Sequence, residues 1–123
     1  MITTNYEILG GPATAVVIAA SAKYRDANPK SYKAFYDALA EAIDSINKDK
    51  RGAAKVYLEQ AKDTRNSVED IYAMIAAKDY AYTLTPQKVY KTALFMHGIG
   101  TVKTKPASWK DLFFPEVQNL PGD

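Results

Sequence analysis

The spacing of apolar residues predicts helices over most of the chain after Ser21. The clearest pattern follows Asn28-Pro29, a pair typical of a helix start, because asparagine can cap the first turn and proline suits the first helical position. From there, apolar side chains recur at steps of three and four residues, at Tyr32, Phe35, Tyr36, Leu39, Ile43 and Ile46. This stripe predicts one amphipathic helix over about Pro29–Lys48.

Three shorter helices are predicted farther along the chain. Their expected starts are Gly52, Ser67 and Thr85-Pro86. Asp70 lies three residues after Ser67 and is the acidic partner that a helix's first turn favours. Gly98 and Gly100 are expected to end the last of the three helices, since glycine is common just after a helix. One further capped turn is expected at Ser108.

Two segments are predicted to be extended. Thr14–Ala20 is almost entirely apolar and follows Gly10-Gly11-Pro12, which favours a buried strand, although periodicity alone also allows a buried helical piece. Tyr80–Leu84 is a short aromatic stretch that favours a second, short strand. Because a lone strand leaves backbone groups unpaired, we expect residues 14–20 to pair with another chain, to pair with residues 80–84, or to be helical.

Composition narrows the class of protein. The chain has 123 residues, 47% of them hydrophobic and 24% charged, which fits one globular domain and excludes a disordered chain. It has no cysteine and one histidine, so thiolate metal sites, disulfides and two-histidine zinc sites are excluded. The net charge is +2, and basic residues alternate with acidic ones, so no nucleic-acid partner is expected. We expect no signal peptide to begin at Met1.

No group of residues in the sequence has the pattern of a catalytic centre. His97, the one histidine, falls in the last turn of a predicted helix, where an imidazole commonly has a structural role. Glu41 and Asp44 are three residues apart on a helix, which any solvated face produces. We therefore expect no catalytic residue, no metal site, no cofactor and no enzymatic activity.

Four blocks of sequence, read in order, resemble one known family. They are Leu9–Thr14 with Ala19–Ser21 and Lys23–Pro29; Tyr32–Phe35 with Ala38–Ala42 and Ile46–Asp49; Tyr82–Pro86 with Phe95–Gly100; and Pro106–Phe114. In this order and spacing they resemble the C-terminal part of the substrate-binding proteins of ABC importers, in the nitrate/sulfonate/taurine and thiamine-pyrimidine-precursor group. The resemblance covers nearly the whole chain.

The resemblance implies an α/β fold in which this chain is a fragment of a type II periplasmic binding protein. It would be mostly helical, with one crossover strand at about 14–20 and a short strand at about 80–84. Residues 1–21 would form the interlobe crossover or hinge, and residues 22–123 the C-terminal helical part of the first lobe. The full-length protein would be periplasmic or extracytoplasmic.

The implied function is capture of a small anionic or heteroaromatic solute, such as a sulfonate, nitrate or a pyrimidine precursor, for delivery to an ABC permease. Gly10, Gly11 and Thr14 are the candidate ligand-binding residues, since backbone N–H groups and a hydroxyl suit an oxyanion; the alternative is that these residues form only the hinge turn. A free-standing helical protein-interaction module is the alternative. A severed fragment is also expected to self-associate through its exposed apolar strand.

Overall fold

The structure, a computed structural model, describes residues 3–123 of the chain. These residues form seven α-helices and one 3₁₀ turn, and no β-strand is present among them. The helices are α1 (Asn5–Leu9), α2 (Ala22–Ala27), α3 (Pro29–Lys48), α4 (Lys50–Ala61), α5 (Val68–Ala76), α6 (Val89–Gly98) and α7 (Pro115–Gln118); the 3₁₀ turn is Trp109–Leu112.

The predicted α/β class, with its crossover strand at residues 14–20, is wrong for this chain. Residues 12–20 have no regular secondary structure, and their apolar side chains are exposed: Val16 is 82% exposed and Ile18 61%. The physical reason is that a strand needs a neighbour to pair with its backbone, and the described residues supply none to residues 15–20. Met1 and Ile2, the start of the predicted crossover segment, lie outside the described residues.

The short strand predicted at Tyr80–Leu84 is wrong as well. The backbone N–H of Tyr80 donates to the carbonyl of Ala77, which closes a turn after α5. The carbonyl of Tyr82 accepts a hydrogen bond from the side-chain amide of Asn47, with an Nδ2–O distance of 2.9 Å. A side chain of α3 therefore satisfies a backbone group here that a neighbouring strand would satisfy in a sheet.

The chain divides into two compact units. Unit 1 comprises Met1–Ile18 together with Thr83–Asp123, and unit 2 is the continuous run Ala19–Tyr82. The predicted division into residues 1–21 and 22–123 concerned a larger two-lobed protein and stays a prediction.

Unit 2 is a set of helices packed in sequence order. α3 spans the predicted range, with Pro29 at its start, but Asn28 does not cap it: the Asn28 amide donates instead to the carbonyl of Tyr24. α4 begins at Lys50, where the carboxylate of Asp49 accepts from the N–H of Gly52. Gly52, the predicted start, therefore lies inside the first turn of α4, where its N–H donates the capping hydrogen bond.

The α4–α5 pair forms the most closely packed part of unit 2. Ala54 of α4 is fully buried and Ile71 of α5 is 6% exposed, and they are the buried hydrophobic residues of the described chain. A small alanine lets two helices approach closely. α5 has the predicted start, because the Ser67 hydroxyl accepts from the N–H of Asp70 and the Asp70 carboxylate accepts from the N–H of Ser67.

Unit 1 contains α1, α6, the 3₁₀ turn and α7. α6 begins at Val89 instead of the predicted Thr85-Pro86, because Pro86 is buried in the loop before the helix and Lys88 adopts a left-handed conformation with φ of 53°. The predicted turn at Ser108 is confirmed, with Asp111 as its partner in a capping box.

Candidate ligand-binding site

Gly10 and Gly11 form a left-handed turn at the end of α1. Their φ angles are 74° and 133°, a region that glycine adopts without the steric cost that a side chain brings. The N–H of Gly10 donates to the carbonyl of Glu7 at 3.2 Å, and the N–H of Gly11 donates to that of Tyr6 at 2.7 Å. Both donors therefore close the helix C-terminus and are not presented to a ligand in this conformation.

Thr14 ties the N-terminal segment to the loop before α6. Its N–H donates to the carbonyl of Gln87 at 2.9 Å, and its hydroxyl oxygen accepts from the N–H of Gln87, also at 2.9 Å. The hydroxyl proton remains a donor that a ligand could use, since a threonine hydroxyl both donates and accepts. Of the three candidate residues, Thr14 is thus the one whose side chain retains a free donor.

Two lysines of the α6 region lie beside the glycine turn. The Lys91 ammonium donates to the carbonyl of Leu9 at 3.1 Å. The side chain of Lys88 passes over Gly11, because a Cβ placed on that glycine would lie 3.6 Å from the Lys88 Cε. Neither lysine forms an ion pair with a described acidic side chain.

No local pattern in the sequence points to these two lysines. Lys91 and Leu9 are 82 positions apart, and Thr14 and Gln87 are 73 apart, so their proximity follows only from the fold. The turn and the side chains of Lys88 and Lys91 form a small basic surface, and Thr14 is joined to the same loop through Gln87. Such a surface favours an anionic group, since each ammonium presents a compact positive charge with several donors.

His97 has a structural role at the end of α6. Its Nδ1 lies 2.9 Å from the carbonyl oxygen of Val102, so the ring joins the helix end to the following turn. No group of three or more histidine, cysteine, aspartate or glutamate residues in the described chain could hold a metal ion. No helix among residues 3–123 has the length and apolar character needed to cross a membrane.

A cavity of about 260 Å³ lies in unit 2, at the end of α4. Its lining residues are Tyr57, Ala61, Lys62, Asp63, Thr64 and Arg65. The side-chain amide of Asn66 and the N–H of Arg65 donate to the Asp63 carboxylate and lower the pKa of that group. The lining thus carries one carboxylate and two cationic side chains, and none of the three ligand-binding residues predicted from the sequence lies in it.

The chain was compared with models of protein families, with curated proteins and with solved structures, and none of the three comparisons found a match.

Proposed function

We propose that the chain is part of the solute-binding component of an ABC importer, with a non-catalytic role in capturing a small solute for a permease. The ordered sequence blocks suggest this class of protein. The structural observation that supports it best is the position of Lys88 and Lys91 beside the Gly10–Gly11 turn. Two positive charges beside this turn favour the anionic members of the solute class, sulfonates and nitrate, over a neutral pyrimidine precursor.

The exposed apolar segment is consistent with a chain that packs against further polypeptide. Val16, Val17 and Ile18 are 82, 61 and 61% exposed, and burying such side chains is favourable by roughly 1.5–3 kcal/mol each. In a larger binding protein, further polypeptide would cover these residues. Without it, the chain would self-associate, which sedimentation velocity over a range of concentrations would detect as a rising average mass.

The experiment that tests the proposal is a thermal-shift screen of the full protein as expressed in its source. The solutes are taurine and other sulfonates, nitrate, bicarbonate and thiamine pyrimidine precursors. A ligand present at about a hundred times its Kd stabilises the folded state by about 2.7 kcal/mol, which raises the Tm measurably. We expect at least one anionic solute to do so.

Variants then test the site itself. Lys88→Gln and Lys91→Gln remove one charge each and are expected to weaken binding of the anionic solute in titration calorimetry. Lys103→Gln is the matched control, because Lys103 is exposed in the same unit and makes no ion pair among the described residues. If no solute raises the Tm, the transport proposal fails. If a solute binds equally to all three variants, the proposal stands but the site lies elsewhere.

A helical protein-interaction module is the second candidate, and one observation favours it. Apolar side chains on the helices of unit 2 are exposed, among them Phe35 of α3 at 51%, Val56 of α4 at 57% and Met74 of α5 at 55%. Exposed apolar surface of this kind can bind another protein. For this function, Val56→Lys or Met74→Lys would abolish binding of a polypeptide partner, and no small solute would shift the Tm.

A further inference from the structure

The last four residues, Leu120–Asp123, form a strap across the start of α6, and Gly122 lies in a slot between two rings. A Cβ placed on Gly122 would lie 3.0 Å from Cη2 and 3.1 Å from Cζ2 of Trp109, and 3.1 Å from Cδ of Pro86. The φ of Gly122 is not in the left-handed region. The backbone conformation there suits any residue. Glycine is favoured at this position only because a side chain would lack room between Trp109 and Pro86.

Asp123 supplies the N-terminal hydrogen bonds of α6. Its side-chain carboxylate accepts from the N–H of Lys88, and its main-chain oxygen accepts from the N–H of Val89 at 3.0 Å and from that of Tyr90 at 3.5 Å. Its own N–H donates to the carbonyl of Pro86 at 3.3 Å. The first N–H groups of a helix have no partner within the helix, and no side-chain cap from Lys88 satisfies them here.

The loop between Pro86 and α6 is therefore held by two distant segments. Thr14 pairs with Gln87 on one side, and the strap contacts Pro86, Lys88 and the first turn of α6 on the other. Lys88 between them has a left-handed backbone, which is unfavourable for a residue with a side chain and persists only where its surroundings impose it.

We propose that the strap is a releasable latch that sets the start of α6. In the closed state Gly122 fills the slot, Asp123 caps the helix, and Lys88 is held in its left-handed conformation. Release uncovers Trp109, leaves the first N–H groups of α6 without their partners and lets Lys88 relax. Release is accessible because Pro121 and Asp123 are exposed and most of the contacts of the strap are hydrogen bonds at the surface. The latch requires no solute, so it goes beyond the proposed function.

Trp109 is the one tryptophan of the chain, so its fluorescence reports the slot directly. We expect Gly122→Val to shift the tryptophan emission to longer wavelength and to speed amide hydrogen exchange at Val89 and Tyr90 by about tenfold or more. Gly98→Ala is the matched control, since a Cβ there meets nothing within 4 Å and φ is again not left-handed. It should leave both readouts unchanged.

Two further variants separate the latch from a general loss of structure. Gly122→Ala and Asp123→Ala perturb the same contacts more mildly; we expect both to speed exchange at Val89 and Tyr90, while the circular dichroism of the chain stays that of the wild type. If Gly122→Val fails to fold, these two carry the same expectation. Unchanged exchange and emission in the folded strap variants would overturn the proposal.

The role of Lys88 is tested in a second background. Lys88→Gly removes the cost of the left-handed conformation, because glycine adopts a positive φ readily. Asp123→Ala should then speed exchange at Val89 by a smaller factor than it does beside the native Lys88. An equal factor in the two backgrounds would show that the strap does not hold Lys88 in place, and this part of the proposal would be wrong.

Discussion

The two compact units of this chain are built in different ways. Unit 2 is a continuous run in which α3, α4 and α5 follow one another, with short-range caps such as Asp49 on Gly52 and Ser67 on Asp70. Unit 1 joins two ends of the chain, and its distinctive bonds link residues far apart in sequence, such as Thr14 with Gln87. Unit 2 therefore depends on helix packing and local capping, and unit 1 depends on hydrogen bonds between separate segments.

This difference indicates where each unit is sensitive to substitution. A unit held by packing loses most when a buried side chain is shortened, and a unit held by long-range hydrogen bonds loses most when one partner of a bond is removed. The five predictions that follow test this contrast, beginning with the largest expected effect.

The largest effect is expected from Ile71→Ala in unit 2. Ile71 is 6% exposed, and shortening a buried isoleucine to alanine typically costs about 2–5 kcal/mol. Urea denaturation should show a lower midpoint, and hydrogen exchange should speed up first in α4 and α5. Met74→Ala on the same helix is the control. Because Met74 is 55% exposed, its substitution should lower the free energy of unfolding much less. Equal effects of the two substitutions would contradict the packing account of unit 2.

Ser67→Ala should have the next largest effect. The Ser67 hydroxyl accepts from the Asp70 N–H at 3.2 Å and donates to the Asp70 carboxylate at 2.6 Å. Loss of a helix N-cap costs about 1 kcal/mol, with a range up to about 2. Exposed Ser31, which makes no capping bond, provides the control substitution Ser31→Ala. A midpoint for Ser67→Ala no lower than that of the control would show that this capping box contributes nothing.

Thr14→Val tests the long-range bonding of unit 1. Valine has nearly the same shape but cannot accept from the Gln87 N–H, so the expected cost is about 1 kcal/mol. Exchange of the Gln87 amide should speed up markedly, as measured by nuclear magnetic resonance. Thr104→Val is the control on an exposed threonine. Slow exchange at Gln87 in the variant would mean that the Thr14 hydroxyl is dispensable to this link.

A smaller effect is expected from Arg51→Ala. The guanidinium pairs with Glu69 and lies 4.7 Å from the centre of the Tyr72 ring, but the Arg51 and Glu69 side chains are 52 and 63% exposed. Exposed pairs of this kind are worth about 0.2–1 kcal/mol. Lys55→Ala on the same helix is the control. If Arg51→Ala lowers the free energy of unfolding by well above about 1 kcal/mol, this surface contact stabilises the α4–α5 pair more than its exposure suggests.

The effect of pH is the last test, and its direction is fixed by the carboxyl groups. Hydrogen bonds from Ser67 lower the pKa of Asp70, and hydrogen bonds from Thr3 and Thr4 lower the pKa of Glu7. A carboxyl group whose pKa is lower in the folded state stabilises the fold above its unfolded pKa, and this stabilisation is lost as the pH falls through the folded pKa.

Denaturation midpoints should accordingly fall as the pH drops below about 4, the usual range of these groups. The Asp70→Asn variant should show a shallower decline than the wild type across the same pH range. A decline of identical steepness in both proteins would exclude Asp70 as a source of the acid sensitivity.

Prediction from the sequence was most accurate where neighbouring residues determine the local structure. The α3 bounds and the capping box of α5 follow from residues within a few positions of one another, and the structure confirms both. The same kind of signal was present for α1, where Thr4 and Glu7 form a capping box, although the helix was not predicted. Short helices are easily missed because a single turn shows no periodicity.

The prediction failed where the outcome depends on distant partners. Residues 14–20 have the composition of a strand, but apart from the one backbone bond between Thr14 and Gln87, the described chain offers no neighbour to pair with them. α6 starts three residues after Pro86 because the strap and Thr14 hold the preceding loop. Gly10, Gly11 and Thr14 were candidates from the sequence, whereas the adjacent Lys88 and Lys91 could be found only from the fold.

The discontinuity of unit 1 has a consequence for the order of folding during synthesis. Unit 2 is complete in the nascent chain once Tyr82 has been made, and its contacts are mostly between neighbouring helices. The loop before α6 must wait for Asp123, which supplies its final hydrogen bonds. Local contacts form faster than distant ones, so unit 2 is expected to fold first and the two separate segments of unit 1 to meet later.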